Sequence, residues 1–229
     1  MGDLMKSLDL YADPACPWSW LAVRWLTSVA PHRDVRLTFR SYSLWLHDGP
    51  AQAPGLPDFL RAVAVAASKE SLRVLRVFEA LRDAGRADAI ERLYLEWGSR
   101  VFVPGPPQAP TTAVLEEALA AAGLESAWLA AADDPQWDAV IEASNAALSS
   151  LSGGTTLVPT LSSGQQTLFR GAVVSAPLSL EDGLEIWDAL EILTAEPAFV
   201  GLAPSPLPMP SFAVDNSRGD SAKSAKLVG

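Results

Sequence analysis

The stretch Asp13–Trp20, DPACPWSW, holds the only cysteine of the 229-residue chain and lies between a strand pattern and a helix pattern. Apolar and polar residues alternate over residues 7–13, which predicts a β-strand. Apolar residues recur at helical spacing over residues 18–29. Pro17 suits the first turn of that helix, where its missing N–H removes no hydrogen bond. Cys16 is therefore predicted to stand just before the start of a helix.

The order of the remaining patterns predicts the fold class. Residues 34–45 favour a second strand, residues 58–151 several helices, and residues 160–170 a β-hairpin. A last helix is predicted with Ser179 as its N-cap, and its apolar side is assigned to Leu184, Trp187, Leu190 and Ile192. Strand-helix-strand, a helical block and strand-strand-helix together predict an α/β protein. We expect a thioredoxin-like fold with an inserted α-helical domain.

These patterns divide the chain into three parts. Residues 1–57 and 153–202 are predicted to form the thioredoxin-like domain, and residues 58–152 the helical insertion. Within the insertion, Thr112 is a candidate N-cap. Residues 203–229 are rich in Pro and Ser and then polar, so they are predicted to be a disordered tail.

Composition excludes several functions. The formal net charge is −10 and no basic patch stands out, so nucleic acid and anionic membrane surfaces are not expected partners. Two histidines and one cysteine are too few for a structural zinc site, and we expect no metal. No stretch has the pattern of a signal peptide or a transmembrane helix, so the expected location is the cytoplasm, where thiols stay reduced.

Cys16 at a helix start has two interpretations. Unpaired N–H groups and the positive end of the helix dipole favour a thiolate there. Since a thiol with a pKa of about 8.5 is only roughly 3% ionised at pH 7, a lowered pKa makes such a cysteine reactive. The alternative is a small buried apolar residue, as most lone cysteines are.

The chain resembles the DsbA-like branch of the thioredoxin superfamily. Within it, the similarity is to actinobacterial mycothiol-dependent nitroreductases and DsbA-family thiol oxidoreductases, which carry the run D-P-x-C-P-W-C-W followed by R-W. Here that run is Asp13–Trp20 followed by Arg24-Trp25. Their T-P-T motif corresponds to Val158-Pro159-Thr160, and a later F-x-G-P-V-x-S … G-x-x-L-W-D-A segment to residues 169–190. The resemblance covers roughly residues 7–200.

The resemblance also implies where a cosubstrate binds. It places Pro17, Trp18, Val158 and Pro159 around the bound thiol, with Trp18 exposed for stacking on a flat aromatic substrate. A cis Val158–Pro159 bond is expected to face Cys16 and present backbone to the thiol. An ordinary trans-proline at a strand edge is the alternative.

Ser19 departs from the family pattern because it stands at the position of the second cysteine. A disulfide within the motif is excluded, so the resemblance implies a monothiol cycle. Cys16 forms a mixed disulfide with a low-molecular-weight thiol, mycothiol or glutathione, and a second thiol resolves it. The expected substrate is a small aromatic molecule or a disulfide. The sequence is also compatible with a homodimer. Ser19 either caps the helix or hydrogen-bonds the Cys16 thiolate.

Two other functions remain open at this stage. Kappa-class glutathione transferases and related isomerases share the fold and hold a cosubstrate thiolate with a serine near this helix start. Ser19 is therefore also a candidate catalytic hydroxyl, although the active serine of those proteins lies at or near the position of Cys16. A non-catalytic thioredoxin-like binding module is also compatible with loss of the second cysteine. Asp13 is a candidate for tuning Cys16, and His47 is a weaker acid–base candidate.

Overall fold

A four-stranded sheet organises the protein. The structure, a computed structural model, describes residues 5–51, 55–103, 110–154, 156–164, 166–196, 198–199, 201 and 209–212. The strands are β1 (Lys6–Ala12), β2 (Val35–Ser41), β3 (Thr160–Ser163) and β4 (Gln166–Arg170), and their order across the sheet is β2-β1-β3-β4. β1 and β2 are parallel, whereas β3 is antiparallel to β1 and to β4.

Helices fill the intervals between the strands. In chain order they are α1 (Pro17–Val29), α2 (Leu44–Asp48), α3 (Asp58–Asp83), α4 (Ile90–Phe102), α5 (Thr112–Ala121), α6 (Leu129–Ala132), α7 (Asp138–Leu151) and α8 (Leu180–Ala195). β1, α1 and β2 form the predicted strand-helix-strand unit. β3 and β4 complete the same sheet, and α8 follows them and packs against α1. The predicted thioredoxin-like arrangement with a helical insertion is therefore confirmed.

The alternation read from the sequence places apolar side chains between the sheet and its helices. Leu10 is fully buried and pairs in register with Phe39 of β2 and Leu161 of β3. From α1, Trp25 lies against Trp187 of α8, with ring centroids 6.5 Å apart, and its Nε1 donates to the Gly183 carbonyl at 2.9 Å. The core thus fixes α1, and with it the residues at its start, against the sheet.

The helical block between β2 and β3 packs on the sheet through aromatic rings. Tyr94 of α4 stacks on Phe78 of α3, with centroids 6.0 Å apart, and lies 6.0 Å from Phe39 of β2. Paired hydrogen bonds from Arg76 of α3 to the Asp138 carboxylate, at 2.7 and 2.8 Å, join α3 to α7. The division of the chain at 58 and 152 stays a prediction.

The second strand ends earlier than its sequence pattern suggests. β2 stops at Ser41, and the run predicted as strand turns at Ser43 into α2. The Ser43 side chain accepts a hydrogen bond from Leu46 N at 3.2 Å. From α7, the Asn145 amide bonds both Ser43 N and Ser43 O at 3.0 Å. This contact joins residues far apart in sequence, so a local pattern does not reveal it.

Two details of the predicted helices are wrong and one is confirmed. The N-cap of α5 is Thr111 rather than Thr112, which lies inside the helix, and Thr111 makes no side-chain cap bond. Ile192 is 74% exposed, since five residues place it about 140° around α8 from the buried Trp187. Ser179 caps α8 as predicted and accepts a hydrogen bond from Asp182 N at 3.1 Å.

Part of the predicted disordered tail contacts the folded protein. Within residues 203–229 the structure describes 209–212. Ser211 N donates to the Ser175 carbonyl at 2.7 Å, and the Phe212 ring stacks on Phe102 with centroids 5.2 Å apart. Phe102 in turn stacks on Trp20 at 6.0 Å. These four residues pack on the folded protein, and the rest of the predicted tail lies outside the described residues, so its disorder stays a prediction.

Gly98 in α4 offers a test of this packing. A Cβ atom at Gly98 would lie 2.4 Å from the ring of Trp20, which is buried and cannot swing into solvent. We expect Gly98→Ala to lower the free energy of unfolding by about 1–2 kcal/mol, because overpacking outweighs the gain in helix propensity. Gly183→Ala, whose Cβ would meet Trp25 at 3.1 Å, is the matched control with the smaller loss. Denaturant unfolding of both variants measures the difference, and equal losses would contradict the prediction.

Candidate active site

Cys16 stands at the junction of β1 and α1, as the sequence predicts. It is the N-cap residue of α1, with an extended backbone at φ −81° and ψ 117°, and Pro17 follows as the first helical residue. Cys16 N donates to the Asp13 carbonyl at 3.0 Å, which closes the turn between strand and helix. The sulfur is therefore held at the end of the helix where unpaired N–H groups gather.

The Val158–Pro159 peptide faces this cysteine. The bond is cis, as predicted. Cys16 Sγ donates to the Val158 carbonyl oxygen at 3.6 Å, so the backbone before the proline meets the sulfur directly. Pro159 is buried beside it and leads into β3. Cys16 and the Val158–Pro159 peptide, which are 142 positions apart, thus form one site.

The ionisation of Cys16 differs from the prediction. The residue is only 8% exposed, and burial raises the pKa of the thiol above its ordinary value. Asp13 also raises this pKa, while the Ser19 hydroxyl and the backbone N–H groups of Ser19 and Trp18 lower it. The predicted lowering of the pKa is wrong, because loss of hydration around the sulfur outweighs the helix start. The contact of Cys16 Sγ with the Val158 carbonyl also fits a protonated thiol, which can donate to that oxygen.

Ser19 points into the protein beside this thiol. It is fully buried, and its Oγ makes no hydrogen bond of normal geometry within the described part of the chain. Ser19 therefore does not cap α1, and the predicted capping role is wrong. Of the groups that favour the Cys16 thiolate, the Ser19 hydroxyl is the strongest. A hydroxyl without a partner beside a protonated thiol is free to donate once the sulfur is charged.

The tryptophans of the motif are mainly structural. Trp20 and Trp25 are buried in the core, while Trp18 is half-buried and packs against the core from the side of the site. The Arg24 guanidinium lies 5.5 Å above the Trp20 ring centroid. Only Trp18, of these three rings, keeps a partly exposed surface next to Cys16, and its stacking on a substrate stays a prediction.

Asp13 is a buried carboxylate that orders the loops around the site. Its Oδ1 accepts from Ala15 N at 2.6 Å and its Oδ2 from Leu44 N at 2.7 Å, at the start of α2. Tyr94 Oη donates to the Asp13 carbonyl at 3.1 Å. Burial raises the pKa of Asp13 to about 6, although hydrogen bonds from Leu44, Ala15 and Ser71 oppose the change. Asp13 ties the cysteine turn to α2 and the helical block.

The raised pKa of Asp13 predicts a pH dependence of stability. Between about pH 4 and pH 6 the folded protein keeps a proton that the unfolded chain has lost, so the free energy of unfolding falls as pH rises. Above pH 6 this contribution levels off, after a loss of roughly 3 kcal/mol. Denaturant unfolding across this range should show the slope in the parent and lose it in Asp13→Asn. Equal slopes in the two proteins would contradict the assignment.

Several contacts near the site involve residues that no sequence motif marks. Thr156 Oγ1 lies 3.2 Å from His47 Nε2, and Asn145 holds the start of α2. Thr156 precedes Val158 by two positions, and this proximity to the proline motif was the one sequence feature that could have pointed to it.

In the described residues no cluster of His, Cys, Asp and Glu has a geometry suited to a metal ion. None of the described helices is long and apolar enough to cross a membrane.

Comparison with solved structures identifies the same fold in proteins of low sequence identity. A probable DsbA oxidoreductase from Streptomyces coelicolor is 18% identical, with a TM-score of 0.54 over 87% of this chain and 94% of the other. The cytosolic disulfide reductase DsbM from Pseudomonas aeruginosa, solved with GSH, is 17% identical, with a TM-score of 0.51 over 82% and 100%. A 2-hydroxychromene-2-carboxylate isomerase is 14% identical, with a TM-score of 0.55 over 82% and 95%.

The sequence also matches a family model along most of its length. The model is Rv2466c-like, described as mycothiol-dependent nitroreductase Rv2466c, and it matches residues 15–203. This range includes Cys16, the helical block, the Val158–Pro159 peptide and α8. The resemblance inferred from the cysteine and proline motifs is confirmed, and the chain belongs to the Rv2466c-like family of mycothiol-dependent nitroreductases.

Proposed function

We propose that the protein is a cytoplasmic thiol-dependent oxidoreductase that works through a single thiol, Cys16. Its cosubstrate is a low-molecular-weight thiol, mycothiol or glutathione, and its substrate is a small aromatic molecule or a disulfide. The observation that carries the proposal is the contact of Cys16 Sγ with the Val158 carbonyl at 3.6 Å, with Ser19 at the place of a resolving cysteine. The family described as mycothiol-dependent supports the choice of cosubstrate.

The proposed cycle has two exchange steps. The Cys16 thiolate attacks a disulfide RSSR, forms a mixed disulfide Cys16–S–S–R and releases RS⁻. A second thiolate R′S⁻ then attacks this mixed disulfide, releases RSSR′ and regenerates the Cys16 thiolate. Sulfur and charge balance in both steps, and the electrons come from the small thiols. The Val158 carbonyl accepts the thiol hydrogen in the resting protein and must lose this bond when the sulfur ionises.

Burial of Cys16 makes an adjacent donor necessary in this cycle. Since the free thiol has a raised pKa, the charged sulfur needs hydrogen bonds that replace water. The backbone N–H groups at the helix start and the unpartnered Ser19 hydroxyl can supply them. Ser19 therefore acts on the sulfur of Cys16 as a positioning and stabilising residue rather than as a nucleophile.

Removing this hydroxyl should raise the Cys16 pKa further. A hydrogen bond to a charged group contributes about 1.5–3 kcal/mol, so Ser19→Ala is expected to raise the pKa of Cys16 further above its ordinary value. Thiolate absorbance followed against pH measures the shift, and iodoacetamide alkylation should slow in parallel. Ser28→Ala, an exposed serine of the same helix, is the control. An unchanged pKa in Ser19→Ala would contradict this role.

Mass spectrometry tests the proposed function directly. Protein purified from its native host and trapped in acid should carry a thiol adduct on Cys16, and its mass identifies the cosubstrate. Incubation of the reduced protein with glutathione disulfide or mycothiol disulfide should produce the same kind of adduct, and free thiol should remove it. Failure of Cys16 to form any mixed disulfide would overturn the proposal.

The unpartnered Ser19 hydroxyl also keeps the transferase or isomerase function as a second candidate. In that function Ser19 holds the thiolate of a bound cosubstrate, and Cys16 is not consumed. Conjugation or isomerisation that survives Cys16→Ala and disappears in Ser19→Ala would favour it. Tight partner binding without turnover on any thiol or disulfide would instead favour a binding module.

A further inference from the structure

Four side chains next to the Cys16 site form a continuous hydrogen-bonded array. Tyr42 Oη donates to Thr156 Oγ1 at 3.0 Å. Thr156 Oγ1 lies 3.2 Å from His47 Nε2, and His47 Nδ1 lies 2.6 Å from Asp48 Oδ1. The Tyr42 and His47 rings lie 5.6 Å apart between centroids. The array places an imidazole between a hydroxyl and a carboxylate.

His47 belongs to α2 and contacts the loop before β3, and each of these two segments also contacts the turn that carries Cys16. His47 lies three residues after Leu44, whose N–H bonds the Asp13 carboxylate at the cysteine turn. Thr156 lies two residues before Val158, whose carbonyl meets Cys16 Sγ, and two residues span at most about 7 Å. The side chain of Val158 packs in one cluster with Tyr42. His47 is thus linked through Thr156 to the segment that carries Val158, and through α2 to the cysteine turn.

The hydrogen-bond pattern allows His47 to gain and lose a proton without losing a partner. The Asp48 carboxylate only accepts, so His47 Nδ1 carries hydrogen in both states. When the ring is neutral, the Thr156 hydroxyl donates to Nε2. When Nε2 is protonated, Thr156 Oγ1 accepts from it and turns its own hydrogen away. With 34% of its side chain exposed, His47 can exchange that proton with a ligand or water.

We infer that His47 is the general base that takes the proton from the second thiol in the resolving step. This inference rests on the proposed function. The thiol R′SH donates its proton to Thr156 Oγ1 while the Thr156 hydroxyl hydrogen passes to His47 Nε2. R′S⁻ then attacks Cys16–S–S–R to yield RSSR′ and the Cys16 thiolate. The proton then leaves from the exposed imidazole to water. Among the residues that the structure describes, Asp48 from α2, Thr156 from the loop before β3 and Tyr42 from the segment after β2 face the imidazole.

The chemistry of thiols limits the expected effect. An aliphatic thiol with a pKa of about 8.5 is roughly 3% ionised at pH 7, so complete deprotonation gains at most about 30-fold. The gain must shrink as pH rises, because the thiol then ionises in solution. It must also vanish for an aromatic thiol that is largely ionised at pH 7. A purely structural role of His47 would not depend on the pKa of the incoming thiol.

The test follows the resolving step alone. Cys16 is converted to its mixed disulfide with N-acetylcysteine, and removal of the adduct by free N-acetylcysteine is followed by acid quench and mass spectrometry. His47→Gln keeps an amide near the Thr156 hydroxyl but cannot act as a base. We expect the rate to fall roughly 10- to 30-fold at pH 7 and to match the parent protein near pH 9.5. His32→Gln, at the exposed second histidine, is the matched control and should not change the rate.

Further outcomes separate this inference from the proposed function. With thiophenol, which needs no base, His47→Gln should resolve the adduct as fast as the parent protein. Thr156→Ser, which keeps the hydroxyl, should retain the parent rate, whereas Thr156→Val should lose part of it. An equal rate loss at every pH and with both thiols would overturn the inference, as would no loss at all. If Cys16 never accepts the N-acetylcysteine adduct, the proposed function itself fails.

Discussion

Cys16→Ser is expected to abolish thiol-dependent turnover, with a loss of at least about a thousandfold. The reason is chemical, since a serine hydroxyl forms no disulfide and does not ionise near neutral pH. The replacement is close in size, and a serine hydroxyl can also donate to the Val158 carbonyl that accepts from Sγ. We therefore expect the fold to persist. Turnover with glutathione or mycothiol as reductant, measured on a disulfide and on a nitroaromatic substrate, checks the result.

Two measurements make this result interpretable. Circular dichroism and the thermal midpoint should match the parent protein, so that lost turnover reports chemistry rather than unfolding. Ser19→Cys is the complementary variant, because it restores a second sulfur one helical turn after Cys16. It should form an internal disulfide under oxidising conditions, visible as two missing free thiols. Full turnover in Cys16→Ser would show that another group carries the reaction.

Asp13→Ala is expected to cause the largest loss of stability. The carboxylate accepts from Ala15 N and Leu44 N, and alanine leaves both N–H groups without that acceptor. An unsatisfied buried polar group costs about 1–3 kcal/mol, so the free energy of unfolding should fall by about 2–5 kcal/mol near pH 4.5, where the raised pKa leaves Asp13 uncharged. The loss should be smaller at pH 7.5, because removal of the buried charge offsets part of it. The loss should be accompanied by faster alkylation of Cys16, because the turn and the start of α2 no longer shield the sulfur. Urea unfolding and iodoacetamide kinetics measure the two effects.

Asp9→Ala is the matched control for this experiment. Asp9 lies on the same strand, and its carboxylate pairs with Arg40 at 2.9 Å with 26% of its side chain exposed. A partly exposed ion pair contributes about 0–1 kcal/mol, so this variant should remain close to the parent protein. If the two variants lost the same stability, the role of Asp13 in ordering the site would be wrong.

Local patterns predicted much of the fold and the place of the site. Alternation predicted β1, and β-forming residues around a turn predicted the hairpin. Helical recurrence predicted α1, and Pro17 marked its start. The motif around Val158–Pro159 predicted the cis bond that faces Cys16. These features depend on neighbours in sequence or on a motif, so one chain is enough to infer them.

The remaining features depend on contacts between distant residues. Burial of Cys16 results from packing that joins β1, the Val158 loop and the helical block, so the helix start alone predicted the wrong direction of its pKa. The bonds from Asn145 to Ser43 convert the end of a predicted strand into a helix start. The hydrogen-bonded array around His47 joins residues that are 109 positions apart, so no local spacing in the sequence predicts it.

In the proposed cycle, the serine one helical turn after Cys16 also determines the kinetic order of the resolving step. Two cysteines on one turn resolve a mixed disulfide in a first-order step, at a rate independent of the surrounding thiol concentration and with an effective concentration set by the fold. A chain with a single cysteine has no such step. In the proposed cycle the resolving reaction is second order, so turnover would follow the concentration of free thiol. It would then slow in proportion as that thiol pool becomes oxidised, which would couple the output of the protein to the redox state around it.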